Sequence, residues 1–312
     1  MSPKNRIPNG APPTAAIHAY PQKAREAATT RVVRHYTVLQ DFYENIFGGF
    51  NIHFPLWCAN TTNAAEGALN SNRLLAEVSR LHAEQSVLDA GCGLGGPALW
   101  LAKHYGVHVT AISLAESNIR RCRQIAEQEK LDHLVEFHVL DFMQNPFQPN
   151  SFDAIWNLES FIYALPKADY IHNTYRILKP GGIWACLDAF IDPTVNDKPA
   201  RQMRFQRVND GFALIDEHWE SVSSLRLTLA QAGFDVIRWT DLTSCVLRAP
   251  RRPYLLALCR VALDFYTLVY SPELYRLRLK SFLAAANVFQ LMKQRAVVYG
   301  MLTGQKSSAE RS

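Results

Sequence analysis

A glycine-rich turn between a short apolar strand and a helix constrains this chain more than any other feature of its sequence. The run SVLDAG ends in an acid and a glycine, the turn GCGLGG follows, and PALWLAKHYG then shows helical spacing. Gly91 and Gly93 can adopt backbone angles that other residues avoid, and they let a ligand approach the main chain. Asp89 precedes the glycines, where it can bind a cationic amino acid head group. The turn therefore predicts a cofactor cradle, and a purely structural strand–helix turn is the alternative.

Strands and helices alternate along the chain from this turn onward. Four further strand patterns follow SVLDAG, with helical patterns between most of them: VHVTAIS, VEFHVLD, FDAIWNLES and IWACLDAF. Beyond them come a helical pattern, SVSSLRLTLAQAGF, a sixth strand, FDVIRWTDLT, and a final strand, AVVYGMLTGQK. Alternation at this spacing predicts a doubly wound α/β sheet.

The chain divides into a disordered tail, a helical N-terminal lid and an α/β domain, with predicted bounds of 1–28, 29–85 and 86–312. Within the lid, one helix is predicted from Arg31 to Gly48 and another over residues 65–82. The pattern loosens after the fifth strand, which predicts insertions into the α/β domain at about 192–218 and 250–295.

Composition and charge exclude several classes of function. The net charge of +5 is mild and no lysine–arginine run occurs, so no nucleic-acid partner is expected. The six cysteines form no C-x-x-C pair and no zinc-spaced cluster, which predicts reduced core residues in a cytoplasmic protein with no certain metal site. The N-terminus lacks the apolar core of a signal peptide, and no run of about 18 apolar residues predicts a membrane span. A small molecule is the expected partner, and a homo-oligomer stays open.

The motifs taken together resemble those of class I S-adenosylmethionine (SAM) dependent methyltransferases. The resemblance covers about residues 86–190 and is carried by VLDAGCGLGG, VTAISLAESNI, FHVLDF, FDAIWNLES and LKPGG. It implies a Rossmann-like doubly wound sheet of seven strands with the last strand antiparallel. It also implies SAM as the cofactor.

The same resemblance assigns residues to parts of SAM. Asp89, Gly91 and Gly93 would line the methionine part, Asp141 would meet the adenine amino group, and Phe142 would lie beside the adenine ring. The remaining predicted cofactor-binding residues are Ser113, Leu114 and Asn157. Ser113 stands where many members carry a ribose-binding acid. The form I-S-L instead resembles the branch of sterol, tocopherol, cyclopropane-lipid and prenyl diphosphate methyltransferases.

Glu159 follows the fourth strand, at the sheet edge where the acceptor of the methyl group would bind. If that acceptor is an alkene, a carboxylate there can stabilise the resulting carbocation or take its proton. A helix cap or a surface acid is the alternative for Glu159. Predicted substrate-binding aromatics surround it in the sequence, namely Phe50, Phe54, Trp57, Phe161 and Tyr163, with Phe47 as a further aromatic of the loop.

The loop FGGFNIHFPLW resembles a segment that sterol and tocopherol methyltransferases place before the SAM domain. Its aromatics predict dry walls for a carbocation, and sealing of the lid against the core is the alternative. His53 in this loop is a candidate second acid–base group, although a lone histidine more often serves as a structural hydrogen-bonding residue.

Arginines at helical spacing predict an anion site. Arg201, Arg204 and Arg207 would share one helix face, and PRRP adds Arg251 and Arg252. Guanidinium groups can clamp a diphosphate by forked hydrogen bonds, and a solvated basic face is the alternative. The string NLESFIY also resembles the N-x-E-S-x-x-Y segment of geranyl diphosphate C-methyltransferases.

These features predict a SAM-dependent C-methyltransferase acting on an isoprenoid, above all a prenyl diphosphate such as geranyl or farnesyl diphosphate. The carbocation would lose a proton or cyclise, and Mg²⁺ would accompany a diphosphate. The alternatives are methylation of a sterol, a tocopherol-like phenol or another small natural product, N-methylation of a small amine, and SAM binding without catalysis.

Overall fold

A single seven-stranded sheet forms the centre of the computed structural model, which describes residues 21–47, 49–58, 60–192, 199–249, 259 and 264–308. The strands are β1 (Ser86–Ala90), β2 (His108–Ser113), β3 (Val135–Val139), β4 (Phe152–Leu158), β5 (Leu178–Ile191), β6 (Phe234–Asp241) and β7 (Val297–Lys306). Their spatial order is β3-β2-β1-β4-β5-β7-β6.

Strands β1 to β5 pair in parallel, whereas β7 is antiparallel to both β5 and β6. The last strand, β7, lies between β5 and β6 and runs opposite to both. The predicted seven-stranded sheet with an antiparallel last strand is confirmed. The strand order reverses between β1 and β4, and ligands of such sheets bind in the crevice beyond these strand ends.

Alternate residues of each strand enter the cores on the two faces of the sheet. Val87 packs into one apolar cluster and Leu88 into the other, and both side chains are buried. Trp156 of β4 and Trp184 of β5 also lie on opposite faces. Trp184 pairs with Ile155, the neighbour of Trp156, and neighbouring residues of a strand point to opposite sides. The parallel strands are therefore apolar on both faces, as sheets covered by helices require.

The helices of the described residues are α1 (Gln22–Val38), α2 (Gln40–Phe47), α3 (Ala64–Ser79), α4 (Gly96–Tyr105), α5 (Glu116–Gln128), α6 (Lys167–Ile177), α7 (Pro199–Phe212), α8 (Val222–Gln231), α9 (Thr243–Leu247), α10 (Phe265–Tyr270) and α11 (Pro272–Lys293). Short 3₁₀ turns follow β3 and β4 at Phe142–Gln144 and Phe161–Tyr163. Helix α4 begins after Gly95 with a proline in its first turn and ends at Gly106, as predicted.

The N-terminal helix departs from the prediction in two ways. It begins at Gln22, so residues 22–28 are helical, whereas the sequence predicted a disordered tail to residue 28. It also breaks at Leu39, where ψ is 8°, and α2 continues in a new direction. Leu39, Phe42 and Tyr43 form a small buried cluster with leucines of α11, and this packing outweighs the local pattern of one long helix. Residues 1–20 of the predicted tail lie outside the described residues.

The two predicted insertions pack against each other as helices α7 and α11. Ser281 Oγ donates to Gly211 O over 2.9 Å, and a Cβ at Gly211 would lie 2.4 Å from Lys280 O. Only glycine allows the two backbones to approach this closely. The insertions therefore form one helical layer beyond the end of the sheet. No helix within the described ranges has the length and apolar character needed to cross a bilayer.

Candidate functional site

Two cavities lie beyond the carboxyl ends of the parallel strands, and Glu159 lines both of them. We call the first, of about 140 Å³, the glycine-turn cavity, because Gly91 and Gly93 form part of its wall. We call the second, of about 260 Å³, the aromatic cavity. The residues that line both are Tyr36, Ile52, His53, Glu159 and Tyr163. These five residues surround the junction through which the two cavities face each other.

The glycine turn is held open by a close approach of backbone segments. Gly91 has φ of 104°, and a Cβ there would lie 2.3 Å from Ser160 Cβ. Gly96 has room for no side chain either, because a Cβ would lie 2.6 Å from Phe50 O. The glycines thus serve both the cavity and the packing of the loop Phe50–Trp57 onto the turn.

Asp89 at the end of β1 supplies an unpaired carboxylate to the glycine-turn cavity. Its side chain is 2% exposed, and its buried Oδ2 accepts no hydrogen bond from the described residues. Burial raises the pKa of this carboxyl to about 7. A buried carboxylate without a partner is costly, so this geometry favours a cationic ligand group beside it.

The opposite wall of this cavity contains the other predicted residues of β2 and β3. Ser113 ends β2 and Leu114 follows it, and Asp141 and Phe142 follow β3. Asp141 Oδ1 accepts from Met143 N over 2.8 Å, and burial raises the pKa of its carboxyl. One oxygen of Asp141 therefore orders the turn, and the structure brings all four residues to the cavity as predicted.

Asn157 is a correction to the predicted cofactor site. It is fully buried and is not among the residues that line either cavity. Its Nδ2 donates to Ala90 O and Ser160 Oγ, and its Oδ1 accepts from Tyr170 and Trp184. All hydrogen-bonding groups of the Asn157 amide are therefore engaged. Asn157 ties the end of β1 to the turn after β4 and has no group left for a ligand.

Helix α1 adds residues that the sequence did not suggest. Arg25, Ala28, Thr29, Val32 and Val33 line the glycine-turn cavity from the lid side. Their apolar spacing was visible, but their partner surface was not, because an amphipathic helix does not indicate what it covers.

Glu159 directly follows β4 with φ of 52°, a left-handed conformation that is unfavourable for glutamate. Its amide donates to Leu187 O, so β5 holds the turn in place. Its Oε1 accepts from Phe54 N and from the Tyr299 hydroxyl, both over 2.7 Å. Among the described residues nothing bonds Oε2, so that oxygen remains available at the junction of the cavities.

The pKa of Glu159 is raised to about 8. Burial is the main cause and the nearby Asp188 adds to it, whereas the two hydrogen bonds to Oε1 act in the opposite direction. The side chain therefore holds a proton at neutral pH when both cavities are empty of charge. A nearby cation lowers this pKa and favours the carboxylate. Such a group can accept or return a proton near neutral pH.

The aromatic cavity is lined by the lid helices, by α11, and by the loop at residues 50–57, which we call the aromatic loop. Phe54 packs edge-on against Phe289 and Tyr299, with ring centroids 5.7 Å and 6.2 Å apart. Trp57 and Tyr163 also line this cavity, as predicted. Phe50 lines the glycine-turn cavity instead, where Arg121 lies 5.8 Å above its ring. The side chain of Phe47 lies outside the described part of the structure.

His53 lies at the junction but is deeply buried. Its Nε2 is 3.1 Å from Ala68 O, and since a carbonyl only accepts, that nitrogen carries the proton. Burial lowers the pKa of His53 to about 4, so the ring is neutral with Nδ1 as its acceptor. His53 can accept a hydrogen bond from a ligand but does not carry a charge near pH 7.

Three predicted substrate-binding residues lie away from both cavities. Phe161 is 1% exposed and packs against Trp184 and Tyr170 in the core. Arg201 and Arg204 lie on α7, where Arg204 donates to Asn287 Oδ1 of α11 over 3.2 Å. Both arginines lie on one helix as predicted, but packing of α7 on α11 directs the Arg204 side chain to the helix pair. Arg251 and Arg252 lie outside the described residues.

Several residues of the junction escaped the sequence analysis. Tyr299 of β7 bonds Glu159, and Asp188 of β5 lines the aromatic cavity while accepting from Ile162 N and Ala189 N. Tyr36 of α1 bonds Tyr163 over 3.0 Å, and Tyr163 donates to Phe212 O. No local motif marks these residues, because the strand order brings them together only in the folded chain.

Comparison with known proteins agrees with this geometry. Residues 87–182 match a family described as a methyltransferase domain. The chain is 30% identical to the sarcosine/dimethylglycine N-methyltransferase of Halorhodospira halochloris over 204 residues, which is 65% of this chain and 71% of that protein. The chain belongs to the SAM-dependent methyltransferases. The predicted class I methyltransferase family is thereby confirmed.

Further relatives differ in the acceptor that their names state. A glycine/sarcosine/dimethylglycine N-methyltransferase of Actinopolyspora halophila is 30% identical over 65% of this chain, which spans 35% of that protein. The sterol 24-C-methyltransferase erg6 of Aspergillus fumigatus is 31% identical over 70% of this chain and 58% of its own length. The family is thus shared by enzymes named for amines and for sterols.

Solved structures share the fold of this methyltransferase. The cyclase SpnF superposes with a TM-score of 0.73 at 23% identity over 90% of this chain and 97% of its own. Another solved structure is geranyl diphosphate C-methyltransferase of Streptomyces coelicolor A3(2) in complex with Mg²⁺, geranyl diphosphate and S-adenosyl-L-homocysteine. It superposes with a TM-score of 0.68 at 15% identity, over 89% of this chain and 98% of its own. At these identities the likeness concerns the fold alone.

The residues of the glycine-turn cavity fit SAM chemically. The unpaired Oδ2 of Asp89 suits the cationic amino group of the methionine part. The space at Gly91 and Gly93 allows main-chain approach that a Cβ would block. Within the described ranges, no cluster of three histidine, cysteine or acidic side chains could hold a metal ion. The predicted Mg²⁺ therefore has no protein-built site in this part of the chain.

Proposed function

We propose that this protein is a C-methyltransferase of an isoprenoid alkene, with the acceptor in the aromatic cavity and SAM in the glycine-turn cavity. The observation that carries the proposal is the position of Glu159, which lines both cavities with one oxygen held by two hydrogen bonds and the other available. A group shared by the two cavities is within reach of an acceptor carbon that faces the methyl donor.

SAM, when bound, supplies an electrophilic methyl group on a sulfonium. On this chain, Asp89 would hold its amino group, and the backbone at Gly91 and Gly93 would receive its carboxylate end. Asp141 and Phe142 would meet the adenine, and Ser113 would stand near the ribose.

Glu159 would act on the acceptor once its alkene carbon has gained the methyl group and become a carbocation. The pKa of Glu159 lies at about 8 in the empty site, and the sulfonium charge of bound SAM would lower it. Glu159 would then release its proton to solvent before methyl transfer and meet the carbocation as a carboxylate. Its Oε2 would take a proton from a neighbouring carbon, which forms the new double bond. Tyr299 and Phe54 N hold Oε1, so the carboxylate keeps its orientation during the transfer.

The walls of the aromatic cavity suit a cation that must avoid water. Phe54, Phe289 and Tyr299 form one continuous aromatic surface, and ring faces attract positive charge. Asp188 adds a second acid to the lining, with a pKa raised to about 6 by burial. Both acids lie on a largely apolar surface. The same walls support cyclisation of the cation before it loses its proton.

The lining disfavours a small amino acid as acceptor. Among the described residues, no lysine or arginine lines the aromatic cavity, so a carboxylate such as that of glycine or sarcosine would lack a partner there. At about 260 Å³ the cavity also far exceeds the size of those amines, and largely apolar walls favour a lipophilic molecule.

The lack of cations in this lining favours a second candidate beside a prenyl diphosphate, namely a neutral lipophilic acceptor such as a sterol or a phenol. A diphosphate needs positive charge at the cavity rim. Arg251 and Arg252 follow Ala249, which lines the cavity, but their role as a diphosphate clamp stays a sequence prediction.

The test is incubation with methyl-labelled SAM and a panel of geranyl diphosphate, farnesyl diphosphate, a sterol with a side-chain alkene, a tocopherol-like phenol and sarcosine. Each reaction is run with and without Mg²⁺ and analysed by mass spectrometry. We expect methylation at carbon of an isoprenoid, and Glu159→Gln should abolish it while SAM binding persists. Transfer to sarcosine alone, or to none of the panel despite SAM binding, would contradict the proposal.

A further inference from the structure

Helix α10 presents an unusual surface, because its apolar side chains face outward. Tyr266, Val269 and Tyr270 are 75%, 68% and 74% exposed, and Leu268 is 40% exposed. The first three are spaced i, i+3 and i+4, so they share one helix face. We call these four residues the α10 patch. Of the ten large hydrophobic side chains exposed in the described part of the chain, four belong to this single six-residue helix.

The inward side of the same helix is polar. Thr267 is 7% exposed, and its hydroxyl accepts from Arg278 Nη1 over 2.9 Å. Asp264 caps the helix by accepting from Thr267 N and pairs with Arg278 over 2.6 Å. Arg278 also lies 5.9 Å above the Phe42 ring. This polar anchor fixes α10 with its apolar face toward the outside, which is the reverse of an ordinary surface helix.

Positive charge accompanies the α10 patch. Arg276 and Lys280 are exposed and four residues apart on α11, which begins directly after α10. In the sequence, residues 250–280 contain six arginines and lysines against two acids, most of the excess of a chain whose net charge is +5. Aromatic side chains with polar tips beside basic residues suit the head-group region of an anionic bilayer.

We propose that the α10 patch docks this protein on an anionic lipid surface, with its tyrosines at the head groups and Arg276 and Lys280 facing the lipid phosphates. A second copy of the chain is a less suitable occupant. A two-fold contact through this patch would bring the cations of both copies together, and like charges repel. The docking surface goes beyond the proposed acceptor chemistry and does not depend on it.

Docking here would act through α11, which both carries the cations and forms part of the aromatic cavity. Phe282, Ala285, Val288 and Phe289 line that cavity from the turns that follow Lys280. One helix therefore connects the lipid-facing residues with the site proposed to hold a lipophilic acceptor. A protein that takes such acceptors from a bilayer benefits from this arrangement because apolar substrates partition into lipid.

The test is co-sedimentation of the full chain with phosphatidylcholine vesicles, with and without phosphatidylglycerol, at low and high salt. We expect binding to the anionic vesicles that weakens with salt. The triple variant Tyr266→Ser/Val269→Ser/Tyr270→Ser should lower the apparent affinity by about tenfold or more. Arg276→Ala/Lys280→Ala should remove the preference for phosphatidylglycerol.

Leu227→Ser is the matched control, since Leu227 of α8 is 66% exposed but far from α10 in sequence, and it should bind vesicles like the unaltered protein. Thermal unfolding of every variant confirms that the fold is intact. Failure of the unaltered protein to bind either vesicle, or equal binding by the triple variant, would overturn the proposal. A dimer that the triple substitution dissolves, measured by light scattering, would also overturn it and identify the patch as a protein interface.

Discussion

The glycine-turn cavity and the aromatic cavity meet at Glu159, yet the chain builds them by different means. The first is lined mainly by residues at or just beyond the ends of β1, β2, β3 and β4, together with α1 and the loop at residues 50–53. The second combines α1, α2, the aromatic loop, β5, α7, α11 and β7. The proposed cofactor side thus depends mainly on strand ends, whereas the proposed acceptor side depends on the lid and the insertions. Relatives named for amines and for sterols match this chain, and one fold can host different acceptors.

The largest expected effect concerns the glycine turn. Gly91→Ala would place a Cβ 2.3 Å from Ser160 Cβ at φ of 104°. Ser160 cannot withdraw easily, because it donates to Ala90 O and accepts from Asn157. We expect the free energy of unfolding to fall by about 4 kcal/mol and SAM binding to be lost. Denaturant unfolding and calorimetry with SAM measure both.

Gly181→Ala is the control for that prediction, since Gly181 also has a positive φ, 78°, but nothing lies within 4 Å of its added Cβ. We expect a loss of about 1 kcal/mol there and unchanged SAM binding. Equal effects at the two positions would show that the close approach to Ser160 does not matter.

The second effect tests the junction of the cavities. Glu159→Gln keeps an oxygen that can accept from Tyr299 and Phe54 N but removes the ionisable group. We expect kcat to fall by about 10²–10⁴-fold with SAM affinity changed by less than about threefold. Single-turnover assays and SAM titrations measure the two quantities. A loss of SAM affinity without a loss of kcat would assign Glu159 to the cofactor side.

The third prediction compares the buried carboxylates of the two cavities through stability. Burial raises the pKa of Asp89 to about 7 and that of Glu159 to about 8. Both groups lose protons near their ordinary, lower pKa in the unfolded chain, so the folded state binds more protons between these values. The free energy of unfolding of the ligand-free protein should therefore fall as pH rises from about 4 to about 8.

Glu159→Gln and Asp89→Asn separate the two contributions in thermal unfolding across that pH range. Each should reduce the fall by about 2 kcal/mol, less than full burial would give, because both side chains border cavities that admit water. The pH dependence of the Glu159 variant's free energy of unfolding should differ from that of the unaltered protein up to about pH 8. That of the Asp89 variant should differ up to about pH 7. Unaltered pH dependence in both variants would contradict the assigned cause.

A smaller effect is expected at Tyr299, which donates to Glu159 Oε1 over 2.7 Å. This hydrogen bond holds the pKa of Glu159 below the value that burial alone would set. Tyr299→Phe should therefore move the rising limb of the kcat/KM pH profile to higher pH and lower kcat about tenfold. Tyr170→Phe also removes a buried tyrosine hydrogen bond, to Asn157, but should leave the pH profile unchanged.

The smallest effect separates the sequence-based arginine site from the structure. Arg204 bonds Asn287 and lines neither cavity. Arg204→Ala should change kcat/KM for any accepted isoprenoid by less than about twofold, as should Arg207→Ala at an exposed position of the same helix. A loss of about a hundredfold with a diphosphate acceptor, and none with a neutral one, would show that α7 contributes to diphosphate binding.

The predicted site residues that the structure brings to the glycine-turn cavity include several at or just after strand ends. Asp89 and Ser113 lie at the ends of β1 and β2, and Asp141 and Glu159 follow β3 and β4. Parallel strands bring such positions to one edge of a sheet. Asn157 stands two residues before Glu159, inside β4, where its side chain points into the core and bonds Tyr170 and Trp184. Regular strand alternation would put both side chains on one face, but the left-handed backbone at Glu159 ends that alternation, so proximity in sequence is not enough.

Arg201, Arg204 and Phe161 show a second limit of prediction from sequence, because all three were predicted to bind substrate but line neither cavity. Helical spacing correctly placed Arg201 and Arg204 on one helix, but spacing alone does not specify the neighbouring element. Phe161 follows Glu159 by two residues, yet the 3₁₀ turn carries it into the core beside Trp184. These errors concern which neighbour a side chain meets, and that depends on packing far along the chain.

The sequence alone determined the methyltransferase sheet, the glycine turn and the position of Glu159, because these depend on backbone geometry within a few residues. Only the tertiary structure decided that Tyr36, Phe54, Asp188 and Tyr299 meet Glu159, since their spacing in the chain carries no periodic signal. The sheet order places β5 and β7 beside β4 and thereby brings distant residues to one acid. Local turns follow from local sequence, whereas a cavity is the space that non-local packing leaves open.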